Sequence, residues 1–276
     1  MTTHNTSDRN SGDEDSNPLT IRLRVLGCSG GQVPGRNLSS YLLNDSLLID
    51  AGSTAAALGP DEQEKIENIL ITHAHLDHCL SLAMLSDNLF DRHPAPINVW
   101  AIPETISALS SSFFNDQLWP DFTKITSPAR PTPIIVLREL AEEQPALIEA
   151  LKVTAVRVSH AVESAAFIIE SRDRAILYTG DTGPTERVWQ VARTVARLSA
   201  VVVEASFPNR LEEVARASGH LTPSLLEGEL AKLGRPSLPV YVTHLKPLYR
   251  DEIIEELKEL AGYSLTLLND GDVLDL

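Results

Sequence analysis

The sequence has few cysteines, few basic residues and no long hydrophobic run. Its only cysteines are Cys28 and Cys79, which excludes a disulfide-stabilised scaffold and indicates a reducing compartment. Lysine and arginine total 23 against 38 aspartate and glutamate, and a net charge of −15 repels polyanions such as DNA and RNA. No apolar run approaches the roughly 20 residues of a membrane span. Residues 1–18 lack the basic and apolar regions of a signal peptide. We therefore expect a cytoplasmic protein with no membrane partner and no extended nucleic-acid partner.

The remaining composition is that of a globular domain, with 43% hydrophobic and 22% charged residues. Residues 1–18 are polar and acidic and predict a disordered tail, whereas residues 19–276 predict one folded domain. Strand-like hairpins come first, strands alternating with helices follow, and the second half repeats this rhythm. The pattern predicts an α/β fold in which two sheets pack face to face with helices outside.

The expected elements follow from apolar periodicity and turn residues. Strands are predicted at residues 19–26, 40–43, 46–50, 69–72, 97–102, 151–158, 165–170, 175–179, 200–204 and 239–243. Helices are predicted at residues 61–67, 79–88, 210–217, 223–233 and 252–261, with one more after Pro184. Residues 265–268 and 273–276 flank Asp270-Gly271 and predict a closing hairpin.

Four side chains with metal-ligating chemistry follow the apolar strand 69–72. They are His73, His75, Asp77 and His78, all within six residues. Imidazole and carboxylate groups this close repel one another when charged and are costly to bury without a partner. Together they suit Zn²⁺ or a similar divalent ion.

Further candidates lie at strand ends or helix starts, where α/β folds place functional groups. His160 follows a strand, Asp181 lies in the segment YTGDTG, His220 lies in GHLTP, and His244 lies in THLKP. Any one of them alone fits an ordinary polar loop residue. Their occurrence together with the cluster at residues 73–78 indicates a single metal centre.

The motif HxHxDH, followed by a single His, a single Asp and a late His, resembles the metallo-β-lactamase superfamily over essentially residues 19–276. The resemblance implies a four-layer αββα sandwich with its active site at one edge of the two sheets. It implies that His73, His75 and His160 bind one metal ion, that Asp77, His78 and His244 bind a second, and that Asp181 bridges them. Antibiotic-hydrolysing members carry Cys at the bridging position, so Asp181 points toward phosphoester chemistry.

A narrower resemblance is to the class II 3′,5′-cyclic-nucleotide phosphodiesterases. It rests on segments in the family order: FFNDQLWP (113–120), YTGDTG (178–183), VEASFPN (203–209), GHLTP (219–223) and THLKP (243–247). It implies hydrolysis of cyclic AMP or cyclic GMP to the nucleoside 5′-monophosphate, and it suggests a homodimer. One departure is Cys79-Leu80-Ser81-Leu82, where the family has a glycine-containing helix start, so Ser81 is expected to shift the helix slightly.

The expected mechanism uses two divalent ions, Zn²⁺ by preference with Mn²⁺ and Fe²⁺ also suited, which hold a bridging hydroxide that attacks phosphorus. His220 is left after the seven ligands are assigned, and we expect it to stabilise the phosphorus centre or protonate the leaving oxygen, the alternative being a helix-capping role. Glu204 ends an apolar strand and is placed to orient His220. Lys246 either contacts the phosphate or is a solvated lysine. Asp77 is expected to act in catalysis as well as in metal binding.

Three other functions fit parts of this pattern. A transfer-RNA 3′-processing endonuclease (ribonuclease Z-like) shares the metal set, but the 21 positions from His160 to Asp181 leave no room for a long RNA-gripping arm. The acidic surface also lacks the basic stripe that a polyanion requires. A sulfatase or general phosphodiesterase is a second alternative. A non-catalytic metal-binding scaffold is the third, although such a protein would be expected to have lost ligands.

Overall fold

Two large β-sheets pack face to face in this protein, for which a computed structural model describes residues 21–127 and 130–276. The strands of these residues are β1 (Arg22–Gly27), β2 (Ser40–Leu43), β3 (Leu47–Ala51), β4 (Asn68–Leu70), β5 (Ile97–Ala101), β6 (Thr126–Ser127), β7 (Arg130–Pro133), β8 (Ile135–Glu139), β9 (Ala146–Ile148), β10 (Leu151–Val158), β11 (Ser164–Glu170), β12 (Ala175–Tyr178), β13 (Leu198–Glu204), β14 (Pro239–Thr243), β15 (Ser264–Leu267) and β16 (Val273–Asp275). The first sheet has the order β16-β1-β2-β3-β4-β5-β8 and the second β15-β14-β13-β12-β11-β10-β9, while β6 and β7 form a separate ribbon.

Helices cover the outer face of each sheet. In the described part of the chain they are α1 (Thr54–Ala57), α2 (Pro60–Gln63), α3 (Leu76–Cys79), α4 (Ser81–Asn88), α5 (Pro103–Ala108), α6 (Arg187–Thr194), α7 (Glu212–Ser218), α8 (Pro223–Leu233) and α9 (Arg250–Lys258). A π-helix spans Leu109–Phe113, and short 3₁₀ helices span Asn209–Leu211 and Pro247–Tyr249. No helix within the described ranges has both the length and the apolar character needed to cross a membrane.

Alternate residues of each central strand belong to different apolar layers. In β11, Phe167 and Ile169 point into the core between the sheets, whereas Ile168 packs beneath the helices of the second sheet. Leu48 of β3 lies in a corresponding layer beneath the helices of the first sheet. Burial of both faces explains the near-continuous apolar runs in the sequence. The predicted four-layer αββα architecture is confirmed.

The start of α8 shows how the sequence sets a helix boundary. Thr222 occupies the N-cap and its side chain accepts the N–H of Leu225 at 3.3 Å, while Pro223 fills the first helical position. At the other end Gly234 adopts φ +68°, a left-handed conformation in which glycine avoids the Cβ clash. The predicted bounds 223–233 match the structure because these signals are local.

The predicted closing hairpin is wrong. β15 pairs in parallel with β14 in the second sheet, and β16 pairs antiparallel with β1 in the first. The connection crosses between sheets because Asp270 accepts the backbone N–H groups of Cys28 and Asn37, at 3.1 and 2.8 Å. Asp270-Gly271 therefore marks a turn, but the strands on either side have different partners.

Other predictions differ from the structure in smaller ways. The predicted helix 79–88 is divided into α3 and α4, and the strand predicted at 69–72 ends at Leu70. Strands β6 to β9 were not predicted, since they are short and lie in a proline-rich region. The tail predicted for residues 1–18 lies outside the described residues.

Strand direction brings the functional side chains to one edge. β3 and β4 are parallel neighbours in the first sheet, and β12, β13 and β14 are parallel neighbours in the second. Parallel neighbours end at the same edge of a sheet, so the residues that follow them lie close together. Asp50, the residues after β4, Asp181, Glu204 and His244 all lie at these carboxyl ends.

Candidate metal centre

Three histidines from two sheets form the first ligand group. His75 Nδ1 lies 3.0 Å from His73 Nε2 and 3.2 Å from His160 Nε2. His73 is fully buried, whereas His75 and His160 are partly exposed. The three nitrogen atoms face a common point and could hold a metal ion.

The second ligand group consists of Asp77, His78, Asp181 and His244. His78 Nε2 lies 3.3 Å from His244 Nε2, and His244 Nε2 lies 3.4 Å from Asp77 Oδ2. Asp77 and His78 are in α3, whose single turn directs both side chains toward the loop that carries His244. The structure therefore brings all seven predicted ligands together in two adjacent groups.

Asp181 faces both groups with different oxygen atoms. Its Oδ1 lies 3.3 Å from His78 Nε2 and 3.4 Å from His244 Nε2, while its Oδ2 lies 3.9 Å from His73 Nε2. Oδ1 is buried and receives no hydrogen bond from the described residues. A buried carboxylate oxygen without a donor is costly, and a divalent cation would compensate it. Five imidazoles and two carboxylates are also a donor set that suits such an ion.

Asp50 orients two of these histidines. It is fully buried and accepts the Nδ1–H of His78 at 2.7 Å and the hydroxyl of Tyr178 at 2.8 Å. Thr72 donates its N–H and its hydroxyl to Asp50 at 2.9 and 3.0 Å, and the same hydroxyl lies 3.0 Å from His73 Nδ1. Because Nδ1 is engaged here, His73 and His78 direct their Nε2 atoms toward the candidate metal centre.

Two other candidate ligands, His160 and His244, are oriented in the same manner. His160 Nδ1 donates to the carbonyl oxygen of Gly219 at 2.8 Å. His244 Nδ1 lies 3.0 Å from Ser206 Oγ, which donates to Glu204 Oε2 at 2.5 Å. Both rings therefore also present an unprotonated Nε2 to the site, as metal binding requires.

Burial and neighbouring charge set the protonation of the centre. Burial lowers the pKa of His73, His75 and His160, so these imidazoles are neutral at neutral pH. Burial opposes ionisation of Asp181 and protonation of His78. The attraction of these two groups for each other and for other charged neighbours is stronger than this effect of burial. The pKa of Asp181 is therefore lowered and the pKa of His78 is raised. The pKa of Asp77 is also lowered, because contacts with His244 and His78 outweigh burial.

The backbone at His244 is strained. Its φ is +60°, a left-handed conformation that costs a non-glycine residue about 1–2 kcal/mol. Its N–H donates to Cys28 O at 2.8 Å, and its carbonyl oxygen lies 3.0 Å from Ser206 Oγ. Gly30 lies so close that a Cβ there would be 2.5 Å from the His244 carbonyl oxygen. This packing holds the imidazole toward the second ligand group.

His220 lies beside the metal centre and is paired with Glu204. His220 Nδ1 donates to Glu204 Oε1 at 2.8 Å and lies 3.9 Å from Asp181 Oδ2. Burial opposes protonation of His220, but the carboxylate of Glu204 outweighs it and raises the pKa. Glu204 is itself fully buried and also accepts the N–H of Thr182 at 2.8 Å. The predicted contact between Glu204 and His220 is thus present.

Lys246 lies at the rim of the site near His220. Its Nζ is 5.9 Å from the centroid of the Phe207 ring, which is 5.7 Å from the His220 ring. Its charge opposes protonation of His220. The described residues provide no ion-pair partner for Lys246, so its ammonium is free to meet an anion.

Ser81, the departure from the family motif, takes part in two hydrogen bonds. Its hydroxyl donates to Gly52 O at 3.0 Å and accepts the N–H of Ala55 at 3.2 Å. The side chain is buried at the start of α4 and connects this helix to α1. The candidate ligands Asp77 and His78 remain in place beside it.

The sequence argument missed four supporting residues: Asp50, Thr72, Tyr178 and Ser206. Asp50 could have been recognised from the sequence, because it is a polar residue at the end of the apolar strand LLID. His73 stands in a comparable position after the strand NIL. The other three lie within known motifs but resemble ordinary polar residues. Phe114, in the segment FFNDQLWP, is 1% exposed and packs in the core beneath the first sheet.

Comparisons with known proteins place this geometry in a family. A model of the beta-lactamase superfamily domain matches residues 46–244. A probable 3′,5′-cyclic-nucleotide phosphodiesterase of Yersinia pestis is 30% identical over 309 residues, covering 90% of this chain and 87% of the relative. The structure of unliganded yeast PDE1 superimposes with a TM-score of 0.80 at 21% identity, covering 93% of this chain and 99% of that one. A ribonuclease Z of Archaeoglobus fulgidus is 25% identical, covering 88% of this chain and 94% of the relative.

This superfamily fold implies divalent metal binding. The chain belongs to the metallo-β-lactamase superfamily and, as its motifs predict, to the hydrolase family of the 3′,5′-cyclic-nucleotide phosphodiesterases.

Proposed function

We propose that this protein hydrolyses 3′,5′-cyclic nucleotides, cyclic AMP among them, to nucleoside 5′-monophosphates. The observation that carries the proposal is Asp181, whose two oxygen atoms face separate ligand groups while the His220–Glu204 pair lies beside it. Such a site suits an anionic diester, because two cations supply the positive potential that a chain of net charge −15 otherwise lacks. The relatives' names support the same substrate class.

In this proposal two divalent ions are held by the seven side chains that converge at the sheet edge. His73, His75 and His160 would hold the first, Asp77, His78 and His244 would hold the second, and Asp181 faces both groups. The imidazole-rich set favours Zn²⁺, with Mn²⁺ and Fe²⁺ as alternatives that metal analysis would distinguish. When bound, such ions polarise a phosphoryl oxygen and make water acidic enough to supply a nucleophile near pH 7.

His220 is the proposed proton donor to the leaving ribose oxygen. Its Nδ1–H is engaged by Glu204, which fixes the ring and leaves Nε2 to carry the transferred proton. Glu204 is therefore a positioning residue, and its carboxylate stabilises the imidazolium form. Replacing His220 with alanine should lower kcat about 10²–10⁴-fold while the variant retains its full metal content. An unchanged kcat would show that His220 only caps the following helix.

Lys246 is proposed to contact the phosphate of the substrate. Its ammonium has no competing carboxylate among the described residues, and it lies on the His220 side of the site. Lys246→Ala should raise KM for cyclic AMP about tenfold while leaving metal content unchanged, because one charged hydrogen bond is lost. An unaltered KM would identify Lys246 as a solvated surface residue.

The decisive experiment is product analysis with metal-replete protein and cyclic AMP. We expect 5′-AMP, and we expect Asp181→Ala to abolish its formation. Asp173→Ala is the matched control, since Asp173 is an exposed aspartate in the turn before β12, at the opposite end from Asp181. Failure of a protein holding two metals to hydrolyse cyclic nucleotides would contradict the proposal.

A transfer-RNA 3′-processing endonuclease is the second candidate, and the ribonuclease Z relative favours it. Between His160 and Asp181, however, the chain forms only the β11–β12 hairpin. The net charge of −15 also opposes binding of a long polyanion. Cleavage of precursor transfer RNA without turnover of cyclic AMP would favour this candidate.

We also propose a cytoplasmic homodimer. Cys28 and Cys79 are free and buried, which fits a reducing compartment, and the family resemblance suggests the dimer. Light scattering of the purified protein tests the dimer, and a monomer at micromolar concentration would contradict it.

A further inference from the structure

A pocket of about 330 Å³ opens beside the first ligand group. One wall is formed by α5, and another by the loop that follows His160. Its lining is mainly apolar: Ala74, His75, Thr105, Ala108 and Val162. Because His75 belongs both to this pocket and to the first ligand group, a molecule bound at the metal centre can extend directly into it.

The remaining lining residues are the carboxylates Glu104 and Glu163. Arg157 binds Glu104 at 2.5 Å and also binds Oε2 of Glu163, while its Nε pairs with Glu142 at 2.9 Å. Oε1 of Glu163 receives no hydrogen bond from the described residues. The pocket thus combines apolar walls with hydrogen-bond acceptors that Arg157 holds in place.

We infer that this pocket binds the purine base of the substrate, an assignment that rests on the proposed function. The negative rim repels phosphate, so a cyclic nucleotide binds with its phosphate at the metal centre and its base in the pocket. Apolar side chains pack against the faces of the base, and Glu163 accepts an N–H from its edge. Adenine and guanine offer an exocyclic amino group, whereas uracil offers only its ring N3–H, which is flanked by two carbonyl oxygens that the carboxylates repel.

Filling the pocket tests its occupancy. Ala108→Leu places a larger side chain in the lining, and Ser107→Leu adds the same side chain at an exposed neighbouring position of α5 outside it. We expect Ala108→Leu to raise KM for cyclic AMP at least tenfold, and Ser107→Leu to leave it within twofold. Ser107→Leu should hydrolyse methyl 4-nitrophenyl phosphate, a diester without a base, at the unmodified rate, and Ala108→Leu should lose more activity on cyclic AMP than on this diester. An unchanged KM in Ala108→Leu would overturn the inference.

A second pair of variants tests base recognition without altering the core. Glu163→Ala removes a rim carboxylate, and Glu142→Ala removes another partner of Arg157 that does not line the pocket. We expect Glu163→Ala to reduce the preference for cyclic AMP over cyclic UMP, as the ratio of kcat/KM, about tenfold, with no change in Glu142→Ala. Glu163 is exposed, so this test holds even where Ala108→Leu fails to fold.

The two proposals fail in distinguishable ways. Absence of turnover of any cyclic nucleotide by the metal-replete unmodified protein would contradict the proposed function. Turnover of cyclic AMP with an unaltered preference in Glu163→Ala would overturn only the base pocket.

Discussion

Replacing Asp50 with asparagine tests whether this buried carboxylate fixes the tautomer of a proposed metal ligand. Asn has nearly the same shape, so packing is retained. Its carbonyl oxygen can keep the two hydrogen bonds from Thr72, which now go to Oδ1 at 2.9 and 3.0 Å. Its amide group then replaces Oδ2 and faces His78 Nδ1 and the hydroxyl of Tyr178, at 2.7 and 2.8 Å.

The Asp50→Asn substitution should mainly weaken metal binding. The Tyr178 hydroxyl can rotate to accept from the amide, but His78 can do so only by moving its proton from Nδ1 to Nε2. Nε2 is the atom that faces Asp181 and His244, both at 3.3 Å, so the protonated ring no longer offers a lone pair there. Loss of such a supporting partner typically lowers metal affinity 10–100-fold, or about 1.4–2.8 kcal/mol. Without metal, loss of a charge-assisted hydrogen bond should lower the free energy of unfolding by about 2 kcal/mol.

Zinc titration against a competing chelator measures the affinity, and urea unfolding in the presence of chelator measures the stability. Tyr178→Phe is the control, because it removes one donor to Asp50 but retains the carboxylate and the contact with His78. We expect wild-type zinc affinity in Tyr178→Phe. Wild-type affinity in Asp50→Asn as well would refute the argument that Asp50 sets the tautomer of His78.

Three further predictions concern stability and thiol reactivity. Gly219 and Gly234 both end helices with positive φ, but a Cβ at Gly219 would lie 2.7 Å from His160 Cα, whereas Gly234 has open space. Gly219→Ala should therefore cost about 3 kcal/mol in urea unfolding and Gly234→Ala about 1 kcal/mol, and equal losses would contradict the clash. Free zinc at 100 times its Kd should stabilise the protein by about 2.7 kcal/mol, and a urea midpoint insensitive to chelator would argue against the metal centre. Burial raises the pKa of the Cys79 thiol to about 12 and also raises that of Cys28. Both thiols therefore stay protonated at pH 8 and ionise only at much higher pH. A thiol reagent at pH 8 should modify neither cysteine in the folded protein and both in urea. Reaction of the native thiols at pH 8 would contradict their burial.

Local signals made the candidate metal ligands recognisable in the sequence. His73, His75, Asp77 and His78 are neighbours in the chain, and His160, Asp181 and His244 each follow an apolar strand. This pattern indicated a single metal centre, and the resemblance to the superfamily implied which side chains meet there. The α8 boundaries were equally readable, because a cap residue, a proline and a terminal glycine act within a few positions.

Only the tertiary structure decided which groups support those ligands. Asp50 contacts His78 and Tyr178, 28 and 128 positions away, and Ser206 joins His244 to Glu204 across two strands. The proposed base pocket likewise depends on α5 meeting the loop after His160. The partners of the last two strands were also not predictable from the sequence, because β15 and β16 are neighbours in the chain but pair in different sheets. The sequence by itself therefore determined which side chains with metal-ligating chemistry follow strand ends, because strand periodicity and strand ends are local properties. Partner choice, hydrogen-bond support and pocket shape depend on contacts between distant segments, which only packing of the two sheets establishes.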